Sequence, residues 1–148
     1  MKHKAHMYFW ITTILIVLAG GVEHLLFGDT TLDLNVHDTY YVIDHLYVVI
    51  LLTLVYFTLG LGYYVLYKIG ISLNKKLTKV HTVVTVLAVP AYYSLCAYYA
   101  IINAADPMTI SNYESLNTEL VIIFFTVLLI QPLYFINIIV SLIKRKKA

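Results

Sequence analysis

The stretch HDTYYVIDHLYVV, residues 37 to 49, gathers two histidines, two aspartates and three tyrosines at the mouth of an apolar segment. Glu23 and His24 close another apolar run a short way upstream. Imidazole and carboxylate are the side chains that exchange protons near neutral pH and that ligate metal ions. Within a membrane segment such groups are costly and stand there for a partner or a task. Three readings follow from the residues. Glu23–His24 and Asp44–His45 neutralise one another at the depth of the interface. Alternatively, Glu23, His24 and Asp44 hold a metal ion with mixed nitrogen and oxygen ligands. In the third, Glu23, His24, Asp44 and His45 form a proton or metal-ion path. The spacing is not that of a compact zinc motif such as HExxH, so it names no particular metal.

These residues need elements to hold them. The chain has 148 residues, 61% of them hydrophobic and 12% charged, with a mean hydropathy of +0.82. Soluble domains carry about 25% charged residues, so the composition points to a bilayer. A spanning helix takes about 20 apolar residues. Four stretches supply them: residues 7–27, about 40–67, 80–102 and 120–143. The expected architecture is all-α: four transmembrane helices in one membrane domain, residues 1–148.

Charge sorting gives the threading. The ten bases are Lys2, Lys4, Lys68, Lys75, Lys76, Lys79 and the tail 144–147. The eight acids are Glu23, Asp29, Asp33, Asp38, Asp44, Asp106, Glu114 and Glu119, all at the opposite span ends or in the other two loops. Basic residues mark the cytoplasmic side. Both termini are thus expected inside, in a bacterial inner membrane, with loops 28–39 and 103–119 outside. MKHK before an apolar run has the look of a signal peptide, but the run is longer than a signal core, and a retained anchor is expected. The net charge of +2 offers nothing to nucleic acid, and the single Cys96 makes no internal disulfide.

Other residues carry weaker signals. Pro90 and Pro132 lie inside spans and remove a backbone donor each. Gly20, Gly21, Gly60 and Gly62 permit close helix approach. Gln131, Asn137 and Ser141 form a polar stripe suited to a helix–helix contact. Tyr63, Tyr64, Tyr92 and Tyr93 are placed to hydrogen-bond within the bundle or to a partner. His3 and His6 are expected to be solvated or interfacial.

HDTYYVIDHLY resembles a signature of the heme-copper oxidase family, that of cytochrome c oxidase subunit I, which reads His-Asp-Thr-Tyr-Tyr-Val-x-x-His-x-His. His37, Asp38, Thr39, Tyr40, Tyr41, Val42 and His45 match it; Tyr47 stands where the last histidine belongs. AGGVEHLLFGDTTLDLNVHDTYYV is similar to the end of the family's ninth helix and the outer loop into its tenth. LNKKLTKVH resembles the inner loop into the eleventh, with Lys79 and His81 on a Lys-x-His. Nearly the whole chain thus looks like the last four helices of a twelve-helix protein.

The resemblance implies that His45 occupies the position of the high-spin heme ligand and Tyr47 that of the low-spin ligand. It places His37 and Asp38 where the family builds a magnesium site with another subunit. Tyr47, Asp44, Glu23 and His24 depart from the family's residues, and the copper ligands and opposite low-spin ligand belong to earlier helices. The expectation is a non-catalytic integral subunit of a larger, respiratory-type membrane complex, with other membrane subunits and lipid as partners. The alternatives are a heme-binding electron carrier or sensor using His45, and the ion path above. Structurally, His45 is otherwise expected to hydrogen-bond Glu23 or Asp44 across the helix pair.

Overall fold

The computed structural model describes residues 4–28, 31–105 and 110–146. Lys2, His3, Asp29, Asp106 and Lys147 lie outside the described residues. Four helices dominate: α1 (Ala5–Phe27), α2 (His45–Lys68), α3 (Lys75–Ala105) and α4 (Ile110–Lys146). A hairpin of β1 (Thr31–Val36) and β2 (Thr39–Asp44) joins α1 to α2. Each helix contains a segment long and apolar enough to cross a membrane: Ala5–Leu26, His45–Lys68, Lys75–Ile102 and Ser115–Ile143. The architecture is an all-α four-helix bundle, and the chain is an integral membrane protein.

Two boundaries differ from the sequence expectation. The second span was expected from about residue 40, but α2 begins at His45, and Tyr40–Asp44 belongs to β2. Hydropathy does not separate strand from helix in so short an apolar run, whereas the β-branched and aromatic run Thr39–Ile43 favours a pleated strand. It pairs antiparallel with β1 in the register Thr31↔Asp44 to Val36↔Thr39. The two-residue turn needs a positive φ, and His37 takes it at 55°. Asp44 then caps α2, its Oδ1 accepting from the Leu46 N–H at 2.8 Å, as an N-cap aspartate does. The second difference concerns the expected loop 103–119: α3 runs into it as far as Ala105, and α4 begins within it at Ile110. Both long helices continue through their prolines, Pro90 and Pro132.

The interior is assembled as a bilayer requires. Leu25, Ile101 and Leu129 are among many large apolar side chains that face outward. Thr12, Thr13, Thr78, Thr82, Thr85 and Asn137 are buried. Apolar surface gains nothing by leaving lipid, so helix association rests on close packing and interhelical hydrogen bonds. Phe9, Ile16, Val49, Tyr56, Tyr63 and Val89 form the core among α1, α2 and α3. The helices alternate in direction. The start of α1 meets the end of α2 through His6 and Tyr67, 5.4 Å between ring centroids. The start of α3 meets the end of α2 through His81 and Tyr63. The end of α3 meets the start of α4 through Tyr99 and Glu119.

His6 corrects an expectation. It is buried, with the rings of Trp10, Tyr64 and Tyr67 around it. The packing that buries it needs Gly60. A Cβ there would fall 2.5 Å from Trp10 Cδ1 and 3.3 Å from Phe9 Cβ, too close for a packed indole to yield. Gly60→Val is expected to cost about 1–3 kcal/mol, the range for overpacking, measured as the loss of unfolding free energy in detergent micelles. A variant as stable as the parent would show that α1 and α2 do not meet there.

Candidate functional site

The acid-bearing end of the bundle holds the residues singled out by sequence. The last turn of α1 brings Glu23 against the first residue of α2. His45 Nδ1 lies 3.1 Å from Glu23 Oε1, with the side chains 10% and 30% exposed respectively. On its other side, His45 Nε2 lies 2.8 Å from the Tyr92 hydroxyl of α3, and the two rings are nearly parallel at 18°. A carboxylate only accepts, so Nδ1 carries the proton toward Glu23. In the neutral imidazole, Nε2 then accepts the Tyr92 O–H. One side chain thus ties three helices, and both of its nitrogens are engaged.

The other expected residues fall elsewhere. Asp44 is next to His45 in sequence, but its carboxylate turns back to cap α2. The expected Asp44–His45 pairing is therefore replaced by Glu23–His45, because the capping geometry of α2 claims Asp44. His24 is exposed on α1, and its carbonyl accepts the Gly28 N–H. His37 and Asp38 sit at the tip of the hairpin, 3.5 Å apart, with side chains 92% and 93% exposed. Tyr47 faces outward from α2, away from His45, since residues two apart on a helix point about 200° apart. Among the described residues, no three His, Cys, Asp or Glu side chains converge as metal ligands.

A second polar centre lies toward the base-bearing end and was not singled out as a site in the sequence. His81 is fully buried. Its Nδ1 is 2.9 Å from the Tyr63 hydroxyl of α2, and its Nε2 is 3.1 Å from Gln131 Oε1 of α4. The Gln131 amide is oriented by its own bond from Nε2 to the Val127 carbonyl, 2.7 Å. Because Gln131 Oε1 only accepts, the His81 proton is on Nε2, and Nδ1 accepts from Tyr63. Tyr56 donates to the Thr85 carbonyl one turn further along α3. Farther toward the same end, Asn137 Oδ1 accepts the Asn74 N–H, and Asn137 Nδ2 donates to Thr78 Oγ1, both at 2.9 Å. Gln131 and Asn137 thus make the helix contacts expected of their stripe, and Ser141 is buried beside them in sequence. A signal for this centre existed: Thr78, His81, Thr82 and Thr85 recur at intervals that share one helix face.

The comparisons with known proteins agree with the membrane architecture. The chain is 28% identical over 90 residues to cytochrome c oxidase subunit 1 of Albinaria turrita, covering 60% of this chain and 46% of that protein. It is 32% identical over 75 residues to the Mytilus edulis protein of the same name, covering 49% of this chain and 14% of the relative. It is 32% identical over 76 residues to that of Eremothecium gossypii, again 14% of the relative. The matches thus span less than half the length of these relatives, and they indicate a distant relationship to that family. No family model matches the chain. No solved structure matches it at a significant level.

Proposed function

We propose that this chain is a non-catalytic integral subunit of a larger, oxidase-like membrane complex, built on the plan of the last four helices of cytochrome c oxidase subunit I. The observation that carries the reading is the engagement of His45, which occupies the position of a heme ligand in the resembling motif. Glu23 and Tyr92 hold its two nitrogens, and the Tyr92 ring lies alongside it. As arranged, these residues do not fit an axial iron ligand, which needs a bare nitrogen facing a wide crevice. The site's residues orient helices: the imidazole acts as a strut from α1 through α2 to α3.

The exposed His37–Asp38 pair supports a complex rather than a solitary bundle. Magnesium prefers six oxygen ligands, several of them waters, and two side chains on a hairpin tip do not suffice without a partner. An isolated two-stranded hairpin is also marginal, so a neighbouring subunit would stabilise it. The segregated charges support termini on the cytoplasmic side of the membrane. Purification from native membranes in a mild detergent is expected to recover the chain with other integral membrane proteins. Recovery of the chain alone would overturn the reading. A Soret band that vanished in His45→Ala would replace it with a heme-binding role.

A further inference from the structure

Among the described residues, the base-bearing end of the bundle carries no acidic side chain. Lys4, Lys68, Lys75, Lys76 and Lys79 are all exposed there. Among the described residues none of them forms an ion pair. Lys68 Nζ instead lies 5.6 Å from the Tyr64 ring centroid. Lys75 and Lys76 begin α3, where the helix dipole is already positive, and the Asn74 cap accepting the Lys76 N–H is uncharged. The C-terminus of α4, with bases in its sequence at 144–146, comes to the same end, because Asn137 meets Thr78 near the start of α3.

Two of these cations, Lys68 and Lys76, also head an apolar stripe. Lys68, Val65 and Leu61 recur at intervals of three and four on α2, and all three are exposed. Lys76, Val80 and Val83 do the same on α3. Residues at this spacing share a helix face. A cation at the end of a lipid-facing apolar strip matches the shape and charge of a phospholipid with an anionic headgroup. A soluble anion would use only the cation, and an acidic protein loop would not need the strip.

We propose that this end of the bundle binds anionic phospholipid, with headgroup phosphates at Lys68 and at Lys75, Lys76 and Lys79, and acyl chains along the Leu61–Val65 and Val80–Val83 stripes. The binding is electrostatic at the headgroup and fades as salt screens it. It does not depend on the oxidase-like reading. The test uses the purified full chain in phosphatidylcholine bilayers carrying spin-labelled phosphatidylglycerol or phosphatidylcholine. The wild type is expected to hold phosphatidylglycerol about twofold or more over phosphatidylcholine, since each basic residue near an anionic surface contributes measurably. The combined Lys68→Gln, Lys75→Gln, Lys76→Gln and Lys79→Gln variant is expected near parity, and the corresponding Lys→Arg variant is expected to keep the preference. Raising salt on the wild type, which needs no variant to fold, is expected to abolish it. Parity in the wild type would overturn the proposal and leave the ammonium groups to an acidic protein surface. A preference that survives salt would also overturn it. So would full displacement by inorganic phosphate at matched ionic strength, which would mean that the anion alone is held.

Discussion

His81→Ala is expected to be the most damaging single substitution in the interior, lowering the unfolding free energy by about 3–5 kcal/mol. The imidazole is fully buried among α1, α2 and α4, with the rings of Phe9, Tyr63 and Tyr134 within 5.8 Å of its centroid. Truncating a large side chain in such a setting leaves a cavity, and core truncations of this kind cost about 2–5 kcal/mol. The variant also strands the Tyr63 hydroxyl and Gln131 Oε1 without their present partner. Interhelical hydrogen bonds in membrane proteins average only about 0.6 kcal/mol, so the cavity supplies most of the loss. Tyr63→Phe removes one bond and no ring, and is expected to cost far less. Equilibrium unfolding in mixed micelles reads both. A loss below about 1 kcal/mol for His81→Ala would mean that α2 and α4 do not close on this side chain.

The second large effect is a coupling. Glu23→Ala and His45→Ala are each expected to destabilise by about 1–3 kcal/mol, the cost of stranding a buried hydrogen-bonding group. The double variant is expected to cost less than the sum, with a coupling of about 1–2 kcal/mol. Exposed ion pairs typically give only about 0.2–1 kcal/mol. The higher expectation rests on the low exposure of His45 and the 3.1 Å contact. Tyr92→Phe should weaken the bundle further in the His45 background present today, and have little effect once His45 is gone. Strict additivity of Glu23→Ala and His45→Ala would show that the two side chains do not meet.

Much of this protein is legible in its sequence because the relevant signals are local and additive. Hydropathy summed over a window of about 20 residues locates a span whatever its neighbours are. The sorting of bases and acids to alternate span ends gives the up-and-down order of the helices, and the contacts of His6, His81 and Glu119 agree with that order. Hydropathy did not mark the strand Thr39–Asp44, since an apolar, β-branched run has the same mean in either conformation and only the pairing with β1 decides it.

The sites were half legible. Glu23 and His45 stood out because charge in an apolar run is conspicuous, and a bond across the helix pair was one of the two arrangements expected. Tyr92 lies 47 residues from His45, and no local signal joins them. The Tyr63–His81–Gln131 group is similar: its members were visible singly, but their meeting was not. Which residue faces which depends on how each helix is rotated about its axis and how closely it approaches its neighbour. That rotation follows from close approaches such as Gly60 against Trp10 and Gly20 against Val49. Sequence alone therefore determined the spans and their order, because each follows from a residue's preference for lipid or water. Only tertiary packing decided the partners of His45 and His81, because steric fit between helices is a property of pairs of surfaces and not of any one stretch of chain.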